Sequence, residues 1–138
     1  MGQIMEHDLT ITEAVLKSLL HHFWYARDNR LPKTLDLYPK GYLISYGHLM
    51  DISGVPIDPR NAGGPLFHVA SYCEQSGWPP INSLVVRSHE RYPGDGYFSA
   101  PGSIVSSSDF VERMTVWDRC ARQCVDFDGY PRKISISY

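Results

Sequence analysis

The first long apolar stripe of the chain repeats every three or four residues, which is the period of an α-helix. Its members are Ile11, Val15, Leu16, Leu19, Leu20, Phe23 and Trp24. Thr10 and Glu13 have the spacing of a capping box. The pattern therefore predicts a helix from about Ile11 to Arg27, which the polar segment DNRLPK ends.

The segment from Pro39 to Leu66 organises the centre of the chain. Pro39-Lys40-Gly41 predicts a turn, and the strand-forming residues of Tyr42–Ser45 predict a short strand. Ser45 is the expected N-cap of a helix that ends at Ser53, with Gly54 as its C-cap.

The start of the next helix has two possible positions. Asp58-Pro59 is one start signal, whereas Gly63-Gly64-Pro65 favours a loop and a start at Pro65. The apolar stripe of this helix is formed by Leu66, Val69, Ala70 and Cys73. Gly77 is expected to stop it.

The second half of the chain predicts a buried strand, a turn-rich loop, a helix and a terminal strand. Leu84–Val86 gives the buried strand, and Tyr92–Tyr97 the loop. Asp109 and Glu112 open a helix whose buried face is Phe110, Met114, Trp117, Ala121 and Cys124. Residues 132–138 alternate as a strand does. The predicted fold is a compact α+β single domain over residues 1–138, with an extra C-terminal helix and tail at 109–138.

Composition limits the class of protein. The 138 residues carry a formal net charge of −2, whereas strong nucleic-acid binders usually have a basic surplus. Three cysteines form no disulfide framework. No apolar run is long enough to cross a membrane, and the N-terminus lacks a signal-peptide pattern, so a cytoplasmic protein is expected.

Four short motifs of the central segment occur together. They are Pro39-Lys40-Gly41, Ser45-Tyr46, Gly54-Val55-Pro56 and Arg60-Asn61-Ala62-Gly63. In order and spacing they resemble the DNA-binding domain of the alkylguanine-DNA alkyltransferases and of the non-enzymatic alkyltransferase-like proteins. The match is close over about 28 residues and extends loosely over the region 10–98.

The downstream part of the resemblance is weaker. The family segment Pro-Cys-His-Arg-Val-Val would fall on Ile81–Val86 after an insertion of about one helical turn. Pro93–Tyr97 is similar to the glycine-rich segment that follows. The region 109–138 has no counterpart. The resemblance implies a winged-helix-like centre.

The resemblance also implies base flipping. Tyr46 would crowd a phosphate, and Arg60 would fill the space left by an extruded base. The implied nucleic-acid contacts are Ser45, Tyr46, Arg60, Asn61 and Gly63. The implied base pocket consists of Trp78, Asn82, Ser83 and Tyr97. The residues alone favour Tyr46 as a strand-end aromatic and Trp78 as part of a packed loop, and Arg60 can be an exposed arginine. The spacing from Tyr46 to Arg60 leaves both interpretations of Tyr46 open.

By the same resemblance, Asn82 would stand at the position of the alkyl-accepting cysteine. Alkyl transfer needs a thiolate, so the expected function is non-enzymatic binding of double-stranded DNA, with recognition of a flipped or modified base. The alternative is a protein-interaction module on the same scaffold, with a protein partner or a homodimer. Asp51 and Asp58 flank the implied DNA face and favour this alternative.

Other site chemistry is not expected from the sequence. Cys120 and Cys124, with His21 and His22, lack a zinc-binding pattern. A hydrolytic site would need His48, His68, Ser83 and Asp95, but no nucleophile elbow surrounds a serine. No metal or cofactor is predicted.

Overall fold

The computed structural model describes residues 6–55, 58, 61–99 and 109–134. They form a mixed α/β protein that is mostly helical, with four α-helices and one two-stranded sheet. The helices are α1 (Glu6–Asp28), α2 (Tyr46–Ser53), α3 (Gly63–Ser76) and α4 (Phe110–Asp126). The strands are β1 (Ile44–Ser45) and β2 (Val85–Val86). Two 3-10 helices span Ile81–Leu84 and Asp95–Ser99.

Helix α1 is the centre of the core, and both α2 and α3 pack against it. Its predicted apolar face is confirmed, since Val15, Leu16, Leu19, Leu20 and Phe23 are fully buried. The predicted start is wrong, because the helix already includes Glu6. No Gly or Pro interrupts residues 6–10, so the capping-box pair does not end the helix there.

The predicted caps of three helices are confirmed. The Ser45 hydroxyl accepts a hydrogen bond from the His48 N–H at 3.1 Å and caps α2. Gly54 and Gly77 have φ of 67° and 74° and end α2 and α3 in the left-handed conformation. The Asp109 carboxylate caps α4 by accepting the Glu112 N–H at 2.9 Å.

Helix α3 begins at Gly63, so neither predicted start is correct. Pro65 lies in the first turn of the helix, where a missing N–H leaves no hydrogen bond unmade. The Asn61 N–H donates to the Asp58 carbonyl at 2.8 Å in a turn before the helix. Pro59 lies outside the described residues.

The sheet joins the two predicted central strands in parallel. Ile44 pairs with Val85, and Ser45 with Val86. Both strands are shorter than predicted. Strand β2 begins at Val85 because Leu84 belongs to a 3-10 helix. Before β1, Leu43 forms only an isolated bridge, with Leu37. The predicted terminal strand is not formed over residues 132–134, and 135–138 lie outside the described part.

One hydrophobic core extends from Ile11 to Tyr130. The C-terminal region joins it at the carboxyl end of α1. There the Arg27 guanidinium stacks on Phe23, bonds the Val125 carbonyl and pairs with Asp128. Within the described residues, no helix combines the length and apolar character that a membrane crossing requires.

Candidate functional site

A cavity of about 450 Å³ opens where α2 and α3 begin. Residues from α2, α3, the Ile81–Leu84 helix and the segment after β2 line it. They are Tyr46, Gly63, Leu66, Phe67, Asn82, Arg87, Ser88, Glu90, Gly94, Asp95, Gly96 and Tyr97. Its volume falls in the range of small-ligand sites, and its walls combine aromatic rings with a few polar groups.

Tyr46 is fixed at the first position of α2 because β1 leads directly into that helix. Its hydroxyl accepts a hydrogen bond from the Gly94 N–H at 2.9 Å. Burial raises the pKa of the Tyr46 phenol above its ordinary value, so the hydroxyl stays protonated near neutral pH. The ring is therefore a half-buried wall of the cavity.

Asn82 is the most unusual polar residue of the cavity. Its side chain is only 3% exposed, and its amide oxygen Oδ1 has no hydrogen-bond partner within the described structure. A buried amide oxygen without a partner costs about 1–3 kcal/mol relative to one in water. The Asn82 residue borders the cavity, while its amide oxygen is withdrawn from solvent and left unpaired.

The next residue, Ser83, lies behind the cavity wall. It is fully buried, and its hydroxyl bonds the Tyr97 hydroxyl at 2.7 Å. Burial, as the largest cause, raises the pKa of Tyr97 far above its ordinary value. Tyr97 therefore presents a neutral ring to the cavity.

Charges at the cavity are of both signs. Arg87 and Glu90 are exposed, and Asp95 pairs with Arg113 of α4 at 3.2 Å. A Cβ placed on Gly94 would lie 3.5 Å from the Arg87 guanidinium and 3.7 Å from the Tyr46 hydroxyl, so these two groups converge on Gly94. This balance favours a ligand whose cavity-bound part is neutral.

Phe67 belongs to the site but was missed in the sequence. Its ring is 44% exposed, although Leu66 beside it is buried. Phe67 lies one position off the apolar stripe of α3. A large apolar residue outside the buried face was the signal in the sequence that could have identified it. It gives the cavity a third aromatic side chain beside Tyr46 and Tyr97.

The structure brings together four of the residues that the resemblance implied, namely Tyr46, Gly63, Asn82 and Tyr97. The others lie elsewhere. Ser45 caps α2, and Asn61 lies in the turn before α3. Ser83 is buried behind the wall. Arg60 lies outside the described residues.

Trp78, the remaining implied pocket residue, does not line this cavity. It lines a separate depression together with Pro79 and Pro80. Its ring centroid is 5.6 Å from that of Tyr72 and 5.9 Å from that of Tyr130. These contacts correspond to the packed-loop interpretation of Trp78.

The residues considered for other chemistry are spread over the molecule. His48 contacts the Tyr38 ring, His68 contacts Phe67, and the Ser83 hydroxyl is taken up by Tyr97. Across residues 6–55, 58, 61–99 and 109–134, no group of three or more His, Cys, Asp or Glu side chains could hold a metal ion.

All three cysteines are buried. Burial raises the pKa of the Cys73 thiol to about 11, and it raises that of Cys124 further. These two thiols therefore stay protonated near neutral pH.

Comparisons with protein-family models, with curated proteins and with solved structures found no match to this chain.

Proposed function

We propose that this protein binds nucleic acid without chemistry and holds a flipped or modified base in the cavity between α2 and α3. One observation carries the proposal. Tyr46, Gly63, Asn82 and Tyr97 come from separate motifs of the alkyltransferase-like pattern, yet they line one cavity. Short motifs that matched by chance would have no reason to converge in space.

The lining suits a base. Tyr46, Phe67 and Tyr97 supply ring surface for a planar heterocycle, and the Asn82 amide supplies a polar group for its edge. Enzymes and sensors that read an extruded base use this combination of stacking and edge hydrogen bonds.

The proposal includes a winged-helix-like centre in which α3 is the presented helix. Helices α2 and α3 both pack on α1, and the amino end of α3 borders the cavity through Gly63. Arg60 precedes Gly63 by three residues in the sequence. In this proposal, its side chain fills the space that the extruded base leaves in the duplex.

Two observations support binding without alkyl transfer. Asn82 stands where the alkyltransferases carry their nucleophilic cysteine, and an amide is no nucleophile for an alkyl group. The thiols of the chain are buried, and that of Cys73 has a pKa of about 11.

Fluorescence anisotropy with labelled duplexes tests this function. We expect a duplex with one O6-methylguanine to bind more tightly than the same duplex with guanine. Tyr46→Ala and Arg60→Ala should each weaken lesion binding by about tenfold or more, which corresponds to about 1.4 kcal/mol of lost contact.

Tyr25→Ala and Arg119→Ala are matched controls, because both side chains are exposed and lie outside the cavity lining. They should leave the affinity within about twofold. Equal binding of the two duplexes, or equal loss in the controls and the site variants, would contradict the proposal.

A protein-interaction module is the second candidate function. Phe110 and Val111 at the start of α4 are 57% and 72% exposed, and apolar surface of this kind is common at interfaces. Light scattering of the purified protein, with Val111→Ser as a variant, tests the homodimer form of this candidate. A dimer that the substitution dissociates would support it, and a monomer at all concentrations would exclude self-association.

A further inference from the structure

Arg87 is an uncompensated cation on the rim of the cavity. It directly follows β2, and its side chain is exposed and lines the cavity. Within the described residues, its guanidinium has neither a hydrogen bond nor an ion pair. Its N–H donors are therefore available to a ligand.

The backbone of Arg87 is held by the turn that follows it. The Arg87 N–H donates to the Tyr92 carbonyl at 3.0 Å, and the Arg91 N–H donates to the Arg87 carbonyl at 2.8 Å. Arg91 has a positive φ of 61°, and its guanidinium pairs with Asp36 at 2.7 Å. This pair ties the turn to the loop before β1, so the Arg87 side chain starts from a fixed position.

The Arg87 guanidinium lies beside Gly94 and Tyr46. A Cβ on Gly94 would be 3.5 Å from its Nε and Nη2 atoms and 3.7 Å from the Tyr46 hydroxyl. Burial, as the largest cause, raises the pKa of Tyr46, and the charge of Arg87 opposes this rise. The Tyr46 oxygen already accepts the Gly94 N–H at 2.9 Å, whereas the Arg87 donors have no acceptor in the described structure.

We propose that Arg87 binds a phosphate that flanks the extruded nucleotide, so that the cavity takes up a nucleotide and not a base alone. The inference rests on the proposed function and names a second chemical group of its ligand. A guanidinium presents parallel N–H donors that match two phosphate oxygens, and it stays charged near neutral pH. The base lies among the aromatic rings, and the phosphate stays at the exposed rim.

This assignment differs from the one that the resemblance implies, in which Tyr46 is the residue at the phosphate. In the structure, the Tyr46 ring is a half-buried wall and its oxygen is bonded to Gly94. Two carboxylates also border the cavity. Asp95 is compensated by Arg113, so Glu90 is the carboxylate that opposes an anion at this rim.

Lesion duplexes with one neutral linkage test the inference. A methylphosphonate replaces a charged phosphate oxygen by a methyl group. It is placed at the linkage on either side of O6-methylguanine or, as a control, several nucleotides away. We expect one of the two flanking substitutions to weaken binding to the wild-type protein about tenfold. The distant substitution should leave the affinity within about twofold.

The variant Arg87→Gln keeps a polar side chain and removes the charge. We expect it to bind the ordinary lesion duplex about tenfold more weakly and to show no further loss with the flanking methylphosphonate. Its salt slope should be shallower by about one, which corresponds to one lost phosphate contact. Its melting temperature should stay within about 2 °C of wild type, because the side chain is exposed.

Three further variants complete the test. Arg119→Gln is the matched control, because Arg119 is exposed and lies outside the cavity lining. Tyr46→Phe removes the hydroxyl and keeps the ring. Both variants should keep the tenfold sensitivity to the flanking methylphosphonate. Glu90→Gln removes the opposing charge and should strengthen binding of the ordinary lesion duplex.

The outcomes separate the two proposals. If the lesion is preferred over guanine but neither flanking methylphosphonate weakens binding, the Arg87 inference is wrong and the proposed function stands. The inference is also wrong if Arg87→Gln keeps the sensitivity, or if Tyr46→Phe abolishes it. If no lesion preference exists at all, the proposed function fails, and the inference with it.

Discussion

At the scale of single residues, His22 is a buried ionisable group with a structural role. It is 5% exposed, and its Nε2–H donates to the Tyr42 carbonyl at 2.7 Å. Burial, as the largest cause, lowers the pKa of His22 below 6.5, and nearby His48 and His21 add to this lowering. The folded protein therefore holds the imidazole neutral, whereas the unfolded chain protonates it more readily.

This shift predicts a sign for acid stability. Because the folded-state pKa is depressed, the contribution of neutral His22 is complete above about pH 6.5 and is lost as the pH falls through the folded-state value. We expect His22→Gln, which keeps an N–H donor but does not titrate, to lose less stability than wild type between pH 7.5 and 5.

Urea denaturation at the two pH values measures the difference. His89→Gln is the control, because His89 is exposed and is not among the groups that shift the pKa of His22. If wild type and His22→Gln lose the same stability on acidification, the buried imidazole does not govern acid sensitivity.

Several residues of the resemblance also have local structural roles. Gly41 lies so close to the preceding loop that a Cβ would approach the Asp36 and Thr34 carbonyl oxygens to 2.7 Å. Ser45 caps α2, and Gly54 ends it with positive φ. Folding alone therefore explains these three positions. Tyr46, Asn82 and the other cavity residues, in contrast, are the positions on which the proposed function rests.

At the scale of elements, α4 and the residues after it hold the cavity wall in place. The Trp117 indole bonds the Ser83 carbonyl, the Cys124 thiol bonds the Pro80 carbonyl at 3.1 Å, and the Tyr130 hydroxyl bonds the Pro79 carbonyl at 2.6 Å. These bonds satisfy the carbonyls of a segment that has little regular structure of its own. The helix without a counterpart in the resemblance thus supports the site.

Trp117→Phe tests this support. The substitution keeps an aromatic ring but leaves the buried Ser83 carbonyl unpaired, so we expect a loss of about 1–3 kcal/mol in the free energy of unfolding. Urea denaturation measures it. Trp24→Phe is the matched control, because its indole donates to the half-buried Pro131 carbonyl, which water can reach. An equal cost for both variants would contradict a supporting role for α4.

At the scale of the whole molecule, most of the positive charge is internally compensated. Seven of the 13 Lys and Arg side chains pair with carboxylates in the described part of the chain. The cations in these pairs are Lys17, Arg27, Lys33, Arg91, Arg113, Arg122 and Arg132. Because these seven cations already face carboxylates, the proposed function requires base contacts in the cavity to supply much of the affinity.

This balance predicts a shallow salt dependence. We expect the logarithm of the binding constant for the lesion duplex to fall with the logarithm of salt concentration with a slope no steeper than about −3, which corresponds to about three phosphate contacts. Anisotropy titrations over a salt series measure the slope. A value near −6 or beyond would indicate a broad basic interface and would contradict a cavity-dominated mode.

Local sequence signals were sufficient to predict the four helices and most of their ends. Ser45, Gly54, Gly77 and Asp109 act on backbone groups three or four residues away, so their effect can be predicted locally. The apolar stripes likewise predicted most of the buried faces, because helical periodicity is a property of the chain. Phe110 is the exception, since it lies at the first position of α4 and is 57% exposed. The predicted start of α1 was wrong, because the helix continues on the amino-terminal side of the Thr10–Glu13 pair.

The composition of the cavity, in contrast, follows from contacts between residues far apart in the chain. The bond from Gly94 to Tyr46 joins residues 48 positions apart, and the parallel pairing of β1 with β2 sets Asn82 near both of them. Phe67 faces the cavity although it lies off the apolar stripe, and Trp78 packs elsewhere. Such contacts depend on how whole elements pack around α1, and the unpaired Asn82 oxygen exists only because that packing removes it from water.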